Sequence, residues 1–441
     1  MDSDKNIYKK DVDFTELASQ DAEFKRIVTI ISNIPILKPL SLSLKPNGQV
    51  DFSDPESVQQ LTKSLLKRDF GLKLDLPPDR LCPAVPNRLN YLLWIQDLLD
   101  TSNPSPSLTD THDPSRPVIG LDVGTGASAI YPLIGCAHYP TWRFACTDTD
   151  PHSFTFARQN ITQNNLSTRI RLLQTDPDGP LLPLDDLGLD TIDFTLTNPP
   201  FFTSPSDLLA SATLKSRPPS SVCTGAPSEM VTPGGETAFV GRMIAESVPL
   251  GQRVRWFTAQ LGKLGSVATV IAELKKSGVK NWAVGELVQG RTKRWVVGWS
   301  WVGWRPAVRV ARGAVGVTGG DLPFPSEAVA VKVVVEAEEV GRRVDEAVGG
   351  LGGKWKWDAD SGVGVGFVAR NTWSRAARRK GGSVEEEGDE MAFGFRIYVR
   401  EVSGEGEKPA ETEVVVRWLK GDDSVLFESF CGMIKRKVET Q

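Results

Sequence analysis

Asn198-Pro199-Pro200-Phe201, with Phe202 behind it, closes the apolar run Ile192-Asp193-Phe194-Thr195-Leu196. Proline lacks the N–H and restricts its predecessor, so a buried strand that ends this way cannot continue into a helix. The stretch reads as a rigid, extended elbow at the carboxyl edge of a sheet, where open α/β sheets hold their ligands. Asn198 offers a side-chain carbonyl oxygen, the Pro199 backbone offers a second acceptor, and Phe201 offers a flat face. Two acceptors and a stacking plane suit an amino group attached to a flat ring. Asn-Pro-Pro is also an ordinary turn, so the tetrapeptide takes its meaning from its surroundings.

Those surroundings have the order strand, glycine turn, helix. Val118 to Val123 is a short buried strand, followed by Gly124-Thr125-Gly126-Ala127-Ser128 and an apolar stretch from Ala129 to Gly135. Glycines let a backbone turn sharply and approach a ligand closely. An acid just before the turn, Asp122, fits an S-adenosylmethionine site better than a pyrophosphate site. The full G-x-G-x-x-G phosphate fingerprint is not met, because its third glycine is missing. A second strand, from Trp142 to Thr147, ends at Asp148, which can accept both hydroxyls of a ribose. Asp150 is an alternative acceptor, or the cap of a helix running from Pro151 to about Asn164. A third strand, Arg169 to Gln174, leads to Thr175 and Asp176, where an adenine-edge contact is expected. The fourth strand carries the elbow. Each βα unit places its turn on the same edge, so these residues converge.

Composition bounds the chemistry. The chain has 441 residues and a net charge of −4, room for two or three domains and no bulk basicity of the kind nucleic-acid binders often show. Local basic patches remain available. Apolar runs fall short of the about 18 residues of a membrane-spanning helix, and the opening MDSDKNIYKK is not a secretory signal. Five scattered cysteines and three histidines show no zinc-site spacing. No metal, disulfide frame or membrane partner is expected.

The remaining elements must position the site. Residues 1–100 read as a helical module. Glu56 to Phe70 aligns Val58, Leu61, Leu65 and Leu66 on one face, capped by Asp54-Pro55 and stopped at Gly71. A second helix, capped by Asn87, carries Leu89, Leu92, Leu93 and Leu98, with Arg88 and Asn90 free to face a cofactor. Residues 117–305 form the strand-and-helix domain. Its long loop, 203–235, follows the elbow directly and reads as a lid or substrate-binding segment with Lys215 and Arg217. The last strand runs from Arg291 to near Trp304. Lys263, Arg291, Lys293 and Arg294 are candidates for holding phosphates. Residues 320–441 form a separate α+β domain, in which Phe393, Phe395, Ile397 and Val399 alternate and a terminal helix, Ser424 to Val438, covers the sheet. Its loop 371–390 holds Arg375, Arg378, Arg379 and Lys380 beside acidic Glu385 to Glu387, a surface loop or an RNA contact.

From about Asp13 to Trp304 the chain resembles the methyltransferase-like protein 16 family. The resemblance is carried by FSDPESVQQLTKSLLKRDFGL, VPNRLNYLLWIQDLL, GLDVGTGASAIYPLIG, TNPPFF, RPPSSVCTGAPSEM, GGETAFVGRMI and QGRTKRW, in that order. It implies an α/β fold: a Rossmann-like seven-stranded class I methyltransferase sheet with an N-terminal helical module that helps bind RNA. It implies Arg88, Gly124 and Asp148 as cofactor contacts and Asn198 to Phe201 as the catalytic turn. It implies methylation of adenine N6 in a structured RNA, U6 small nuclear RNA in eukaryotic members, and a nuclear location; DNA is not expected as a partner. The C-terminal domain is similar to a kinase-associated-1 RNA-binding module. Two features depart from the family pattern. Asp148 stands where a glutamate is usual, and Asp176 and Asp178 occupy a loop where eukaryotic relatives carry a gating lysine. Two rival readings are methylation of a protein glutamine amide, which uses the same geometry, and an RNA-binding regulator with a non-catalytic fold.

Overall fold

The computed structural model of the chain describes residues 6–10, 12–29, 50, 52, 54–105, 107–204, 206–207, 225–290, 292–374, 391–402 and 410–440. Lys215, Arg217, Arg291 and the basic cluster from Arg375 to Lys380 lie outside the described residues.

Four helices come first: α1 (Phe14–Gln20), α2 (Ala22–Thr29), α3 (Pro55–Phe70) and α4 (Val85–Thr101). Asp54 caps α3 by accepting from the Ser57 N–H at 2.9 Å, and Gly71 ends it in the left-handed region. The start of α4 differs from expectation. The helix begins at Val85 and Asn87 lies inside it, because Pro86 in the first turn already has the helical φ.

The catalytic half continues through β1 (Val118–Val123), α5 (Ile130–His138), β2 (Trp142–Asp148), α6 (Pro151–Gln163), β3 (Ile170–Gln174) and β4 (Ile192–Thr197). Then follow α7 (Pro227–Met230), α8 (Gly235–Leu250), β5 (Val254–Leu261), α9 (Leu264–Lys276), β6 (Asn281–Gln289), β7 (Thr292–Ser300) and the short α10 (Val308–Ala311). The seven strands lie in the order β3-β2-β1-β4-β5-β7-β6, with β7 antiparallel to both neighbours and the others paired in parallel. The order reverses between β1 and β4, which opens a crevice at their carboxyl ends. The last strand stops at Ser300 and does not reach Trp304. The Ser300 hydroxyl accepts from the Val302 N–H at 3.1 Å and turns the chain there.

Helix α4 lies across the sheet. Trp94 packs so closely on β6 that a Cβ at Gly285 would stand 2.5 Å from its indole nitrogen. The Tyr91 hydroxyl shares a 2.7 Å hydrogen bond with Thr258 on β5. Leu89, Leu92, Leu93 and Leu98 join one apolar core with Trp142, Phe144 and Phe194 of the sheet. Helix α4 is therefore packed as part of the wall beside the crevice.

The C-terminal half contains β8 (Glu327–Val333), α11 (Ala337–Gly349), β9 (Lys354–Asp358), β10 (Val363–Val368), β11 (Phe393–Val402), β12 (Glu411–Lys420) and α12 (Ser424–Glu439). Its antiparallel sheet has the order β8-β12-β11-β10-β9. Phe393, Phe395, Ile397 and Val399 are buried with Phe430 and Ile434 of α12. Arg396 and Arg417 point to the opposite face, where both donate to Asp110, Arg396 at 2.6 Å. Arg417 also reaches the Thr101 carbonyl at 2.7 Å, and the Arg305 guanidinium lies 3.7 Å from the Trp418 ring centroid. Thr101 and Asp110 precede β1, and Arg305 follows β7. The C-terminal sheet thus docks where the parallel strands begin, on the edge away from Asn198.

Candidate active site

The glycine turn between β1 and α5 is a cradle. Gly124 and Gly126 have φ of 73° and 65°, a region that L side chains rarely adopt. A Cβ on Gly124 would meet no atom within 4 Å and would project into the crevice. The turn is held from two sides. Thr125 Oγ1 donates to Asp122 Oδ2 at 2.7 Å, and the Gly126 N–H donates to Asp148 Oδ2 at 2.7 Å. Asp148 Oδ1 accepts from the Asp150 N–H at 2.9 Å. Burial raises the Asp148 carboxyl above its ordinary range and pushes the Asp122 carboxyl up to about 7.

The crevice opens to solvent and offers a cavity of about 150 Å³. Arg88, Gly124, Thr125, Gly126, Ser128, Asp148, Thr175, Asn198, Pro199 and Pro200, all singled out from the sequence, line it. Two expectations change, and the reading of Asp150 as a helix cap holds. Asp122 is buried behind the turn and acts through Thr125 instead of lining the crevice. Asn90 faces away and donates to the Val288 carbonyl at 3.4 Å. Asp150 also lines the crevice, but its Oδ2 is engaged by the Ser153 N–H at 3.0 Å and Arg80 Nη2 at 2.7 Å, so it caps α6.

The elbow sits where the crevice meets a second surface. Asn198 Oδ1 accepts from Gln260 Nε2 at 2.7 Å. Phe201 stands outside the crevice lining, with the Arg294 guanidinium 5.8 Å from its ring centroid. Lys263 Nζ lies 5.9 Å from the Phe202 centroid, and Lys293 pairs with Glu286 at 2.9 Å. The Phe202 N–H donates to the Met230 carbonyl at 3.0 Å, which staples the elbow to α7. Glu229 of that helix accepts from the Leu81 and Ala226 N–H groups at 2.9 and 2.8 Å and lines the crevice.

Glu229 and Gln260 were not legible as site residues. Glu229 lies inside the RPPSSVCTGAPSEM stretch, and only tertiary packing turns it inward. Gln260 is a polar residue near the end of an apolar strand, a faint signal at best. Tyr131, also on the crevice wall, reads locally as helix core.

The lining fits S-adenosylmethionine. Arg88 is buried, and its Nε finds no hydrogen-bond partner among the described residues, so it can take a carboxylate. Asp148 and Glu229 offer acceptors for ribose hydroxyls and would repel a pyrophosphate. Among the described residues no group of three or more His, Cys, Asp or Glu could hold a metal.

Comparison with known proteins agrees with this geometry. A family model described as RNA methyltransferase matches residues 3–303. The chain belongs to the METTL16 family of RNA methyltransferases. It is 33% identical over 410 residues to the U6 small nuclear RNA (adenine-(43)-N(6))-methyltransferase of Schizosaccharomyces pombe, covering 91% of this chain and 98% of that protein. It is 40% identical over 281 residues to the human RNA N(6)-adenosine-methyltransferase METTL16, covering 62% of this chain and 46% of the human protein. The human METTL16 catalytic domain in complex with a MAT2A 3′UTR hairpin superposes with a TM-score of 0.57 at 37% identity, over 73% of this chain and 98% of that one. The N-terminal domain of human METTL16 in complex with SAH gives a TM-score of 0.53 at 36% identity, over 68% of this chain and 98% of that one. S-adenosylmethionine is the methyl donor of this METTL16-family chain.

Proposed function

We propose that the chain methylates N6 of an unpaired adenine in a structured RNA, with U6 small nuclear RNA as the substrate. One observation carries this reading. Asn198, Pro199 and Pro200 line the cofactor crevice while Phe201, next in sequence, stands outside that lining beside Arg294. A base stacked on Phe201 would thus present its amine at the elbow.

An exocyclic amine is a poor nucleophile because its lone pair is delocalised into the ring. Asn198 Oδ1 and the Pro199 carbonyl can accept its two hydrogens and favour a pyramidal nitrogen. Phe201 supplies a stacking face, worth about 1–3 kcal/mol per base in single-strand binding. Bound S-adenosylmethionine supplies a methyl group already activated by its sulfonium. The residues therefore have mainly to position, and well-oriented reactants reach effective molarities of roughly 10⁵–10⁸ M. No strong base need touch N6, because the alkylated amine is acidic enough to shed a proton to water. The target must be unpaired or flipped out. Lys263 and Arg294 lie beside the elbow and can meet the RNA backbone; Lys215, Arg217 and Arg291, expected as RNA contacts from the sequence, lie outside the described residues.

The family's RNA-methyltransferase character and the hairpin complex of the human relative favour RNA over a protein glutamine amide. RNA binding by the N-terminal helices, a kinase-associated-1-like RNA-binding role for the C-terminal domain, and a nuclear location are parts of the same proposal. The deciding experiment is methyl transfer from labelled S-adenosylmethionine to a U6 transcript, followed by nucleoside digestion. The expected product is N6-methyladenosine at one adenine, absent with Asn198→Ala, whose RNA affinity is retained. Transfer to no RNA by a cofactor-binding protein would overturn the reading.

A further inference from the structure

Gln260 is the penultimate residue of β5, and it is 2% exposed. Its Nε2 donates to Asn198 Oδ1 at 2.7 Å, while its own Oε1 is buried without a partner among the described residues. An unmet buried acceptor costs stability, and native proteins keep few of them. A side chain of similar size without polar atoms would avoid that cost. Thr258, two residues earlier on the same face, is fully engaged: it donates to the Thr195 carbonyl at 2.7 Å and meets the Tyr91 hydroxyl. The contrast marks Gln260 as a group whose hydrogen bond to Asn198 matters more than its own satisfaction.

The physical reason lies in the two ends of the Asn198 carboxamide. Its oxygen accepts from the N–H groups of an amine; its NH₂ would donate toward the amine's lone pair and blunt the nucleophile. A half-turn of the side chain exchanges the two with almost no change of shape. Donation from Gln260 occupies one lone pair of Oδ1 and leaves the other for the substrate. If both carboxamides turned together, Asn198 Nδ2 would donate to Gln260 Oε1 and the acceptor would be turned over. The direction of this one hydrogen bond therefore decides whether Asn198 can work.

We propose that Gln260 is a positioning residue for methyl transfer, holding Asn198 Oδ1 as an acceptor for the adenine amine. The proposal rests on the adenine-N6 reading of the elbow. Two near-isosteric substitutions test it. Gln260→Met removes the orienting bond. Gln260→Glu can donate to Asn198 when its carboxyl is protonated but can only accept when ionised. The titratable groups on that side of the sheet include Arg88 and Tyr91 of α4, Asp122 of β1, Tyr131 of α5, Glu236 of α8, which holds the Gly262 N–H two residues on, and Arg294 of β7, which flanks Val296, the cross-strand partner of Gln260. Burial holds the Tyr91 hydroxyl well above its ordinary range and lowers Arg294, and guanidiniums do not normally deprotonate in proteins. Asp122, at about 7, titrates in wild type and variant alike and cancels in a ratio between them, whereas the introduced carboxyl adds its own titration between about pH 6 and 9, since burial raises a carboxyl by up to roughly 3–5 units.

The measurement is kcat on a U6 transcript across that range, as a ratio to wild type, with S-adenosylmethionine and RNA affinities and Tm alongside. Gln260→Met should lower kcat about tenfold, the loss of roughly one orienting hydrogen bond, at every pH. The Gln260→Glu ratio should fall as pH rises. Both variants should keep wild-type cofactor and RNA affinity. A Gln260→Met rate equal to wild type, a Gln260→Glu ratio independent of pH, or losses that track Tm or cofactor affinity would each overturn the proposal. Wild-type protein that forms no N6-methyladenosine removes the underlying reading instead, and the proposal with it.

Discussion

Arg88 Nη1 donates to the Tyr131 hydroxyl at 2.8 Å while its Nε, equally buried, meets no partner among the described residues. The pair joins α4 to α5 beside the glycine turn, and the guanidinium lies 5.2 Å from the Tyr131 ring centroid. Arg88 is thus held in place with donor capacity left for a ligand carboxylate. Charge-assisted hydrogen bonds contribute about 1.5–3 kcal/mol, so Arg88→Ala should weaken S-adenosylmethionine binding by about 10- to 150-fold in calorimetry. Tyr131→Phe should weaken it less. Equal affinity of Arg88→Ala and wild type would remove Arg88 from the cofactor site.

Asp122 makes a pH-dependent contribution to stability. Burial raises its carboxyl to about 7, against about 4 in an unfolded chain. Stability is fully present below the unfolded value, where the group is neutral in both states, and is lost as pH rises through the folded value. Asparagine at this position still accepts from Thr125 Oγ1 but never ionises. Asp122→Asn should therefore raise Tm relative to wild type, by more at about pH 8 than at about pH 5, on either side of the folded value. A gain equal at the two pH values would show that Asp122 ionisation is not the cause.

Gly262 lies directly against the elbow. A Cβ there would fall 2.7 Å from Phe201 Cδ1 and 3.3 Å from Glu236 Oε2. The Glu236 carboxylate cannot yield easily, because it accepts from the Gly262 N–H at 2.7 Å and the Ser266 hydroxyl at 2.5 Å. Gly262→Ala should displace Phe201, cut methyl transfer by at least about tenfold and leave cofactor affinity unchanged, since a misplacement of one ångström can cost roughly a hundredfold. Unchanged turnover would mean that Phe201 has no fixed position during the reaction.

Asp110 is the shared acceptor of two arginines that are 1% and 2% exposed, Arg396 and Arg417. Removing one partner of a buried ion pair costs about 3–5 kcal/mol, because the remaining charge stays buried. Asp110→Ala should lower Tm by several degrees and expose the junction around this residue to limited proteolysis. Because this contact lies on the edge away from Asn198, cofactor affinity should hold below the transition. Loss of cofactor binding at room temperature would show that the two halves are coupled more tightly than this interface requires.

Much of the site was legible in local sequence. Proline and glycine restrict the backbone within two or three residues, so the elbow at Asn198 and the turn at Gly124 can be located without any tertiary information. Strand ends are legible for a similar reason, which is why Asp148 and Thr175 could be placed beside the crevice. Asp122 lies behind the turn because its place just before a glycine turn sets its distance from the site but not whether the turn folds over it. Asn87 lies inside α4 and does not cap it, because asparagine and an early proline both signal a helix start and here the proline prevails.

The sequence by itself determined the order of strands and helices, the chemistry of the elbow and the nature of the methyl donor, because these follow from short-range backbone restriction and residue type. The tertiary structure alone decided which residues support that chemistry. Gln260 stands 62 positions from Asn198, Glu229 bonds Leu81 across 148, and Arg396 reaches Asp110 across 286. Such pairs carry no local period or spacing. They exist only because the sheet brings β4 beside β5, lays α7 against the approach to α4, and seats the C-terminal strands on the linker before β1.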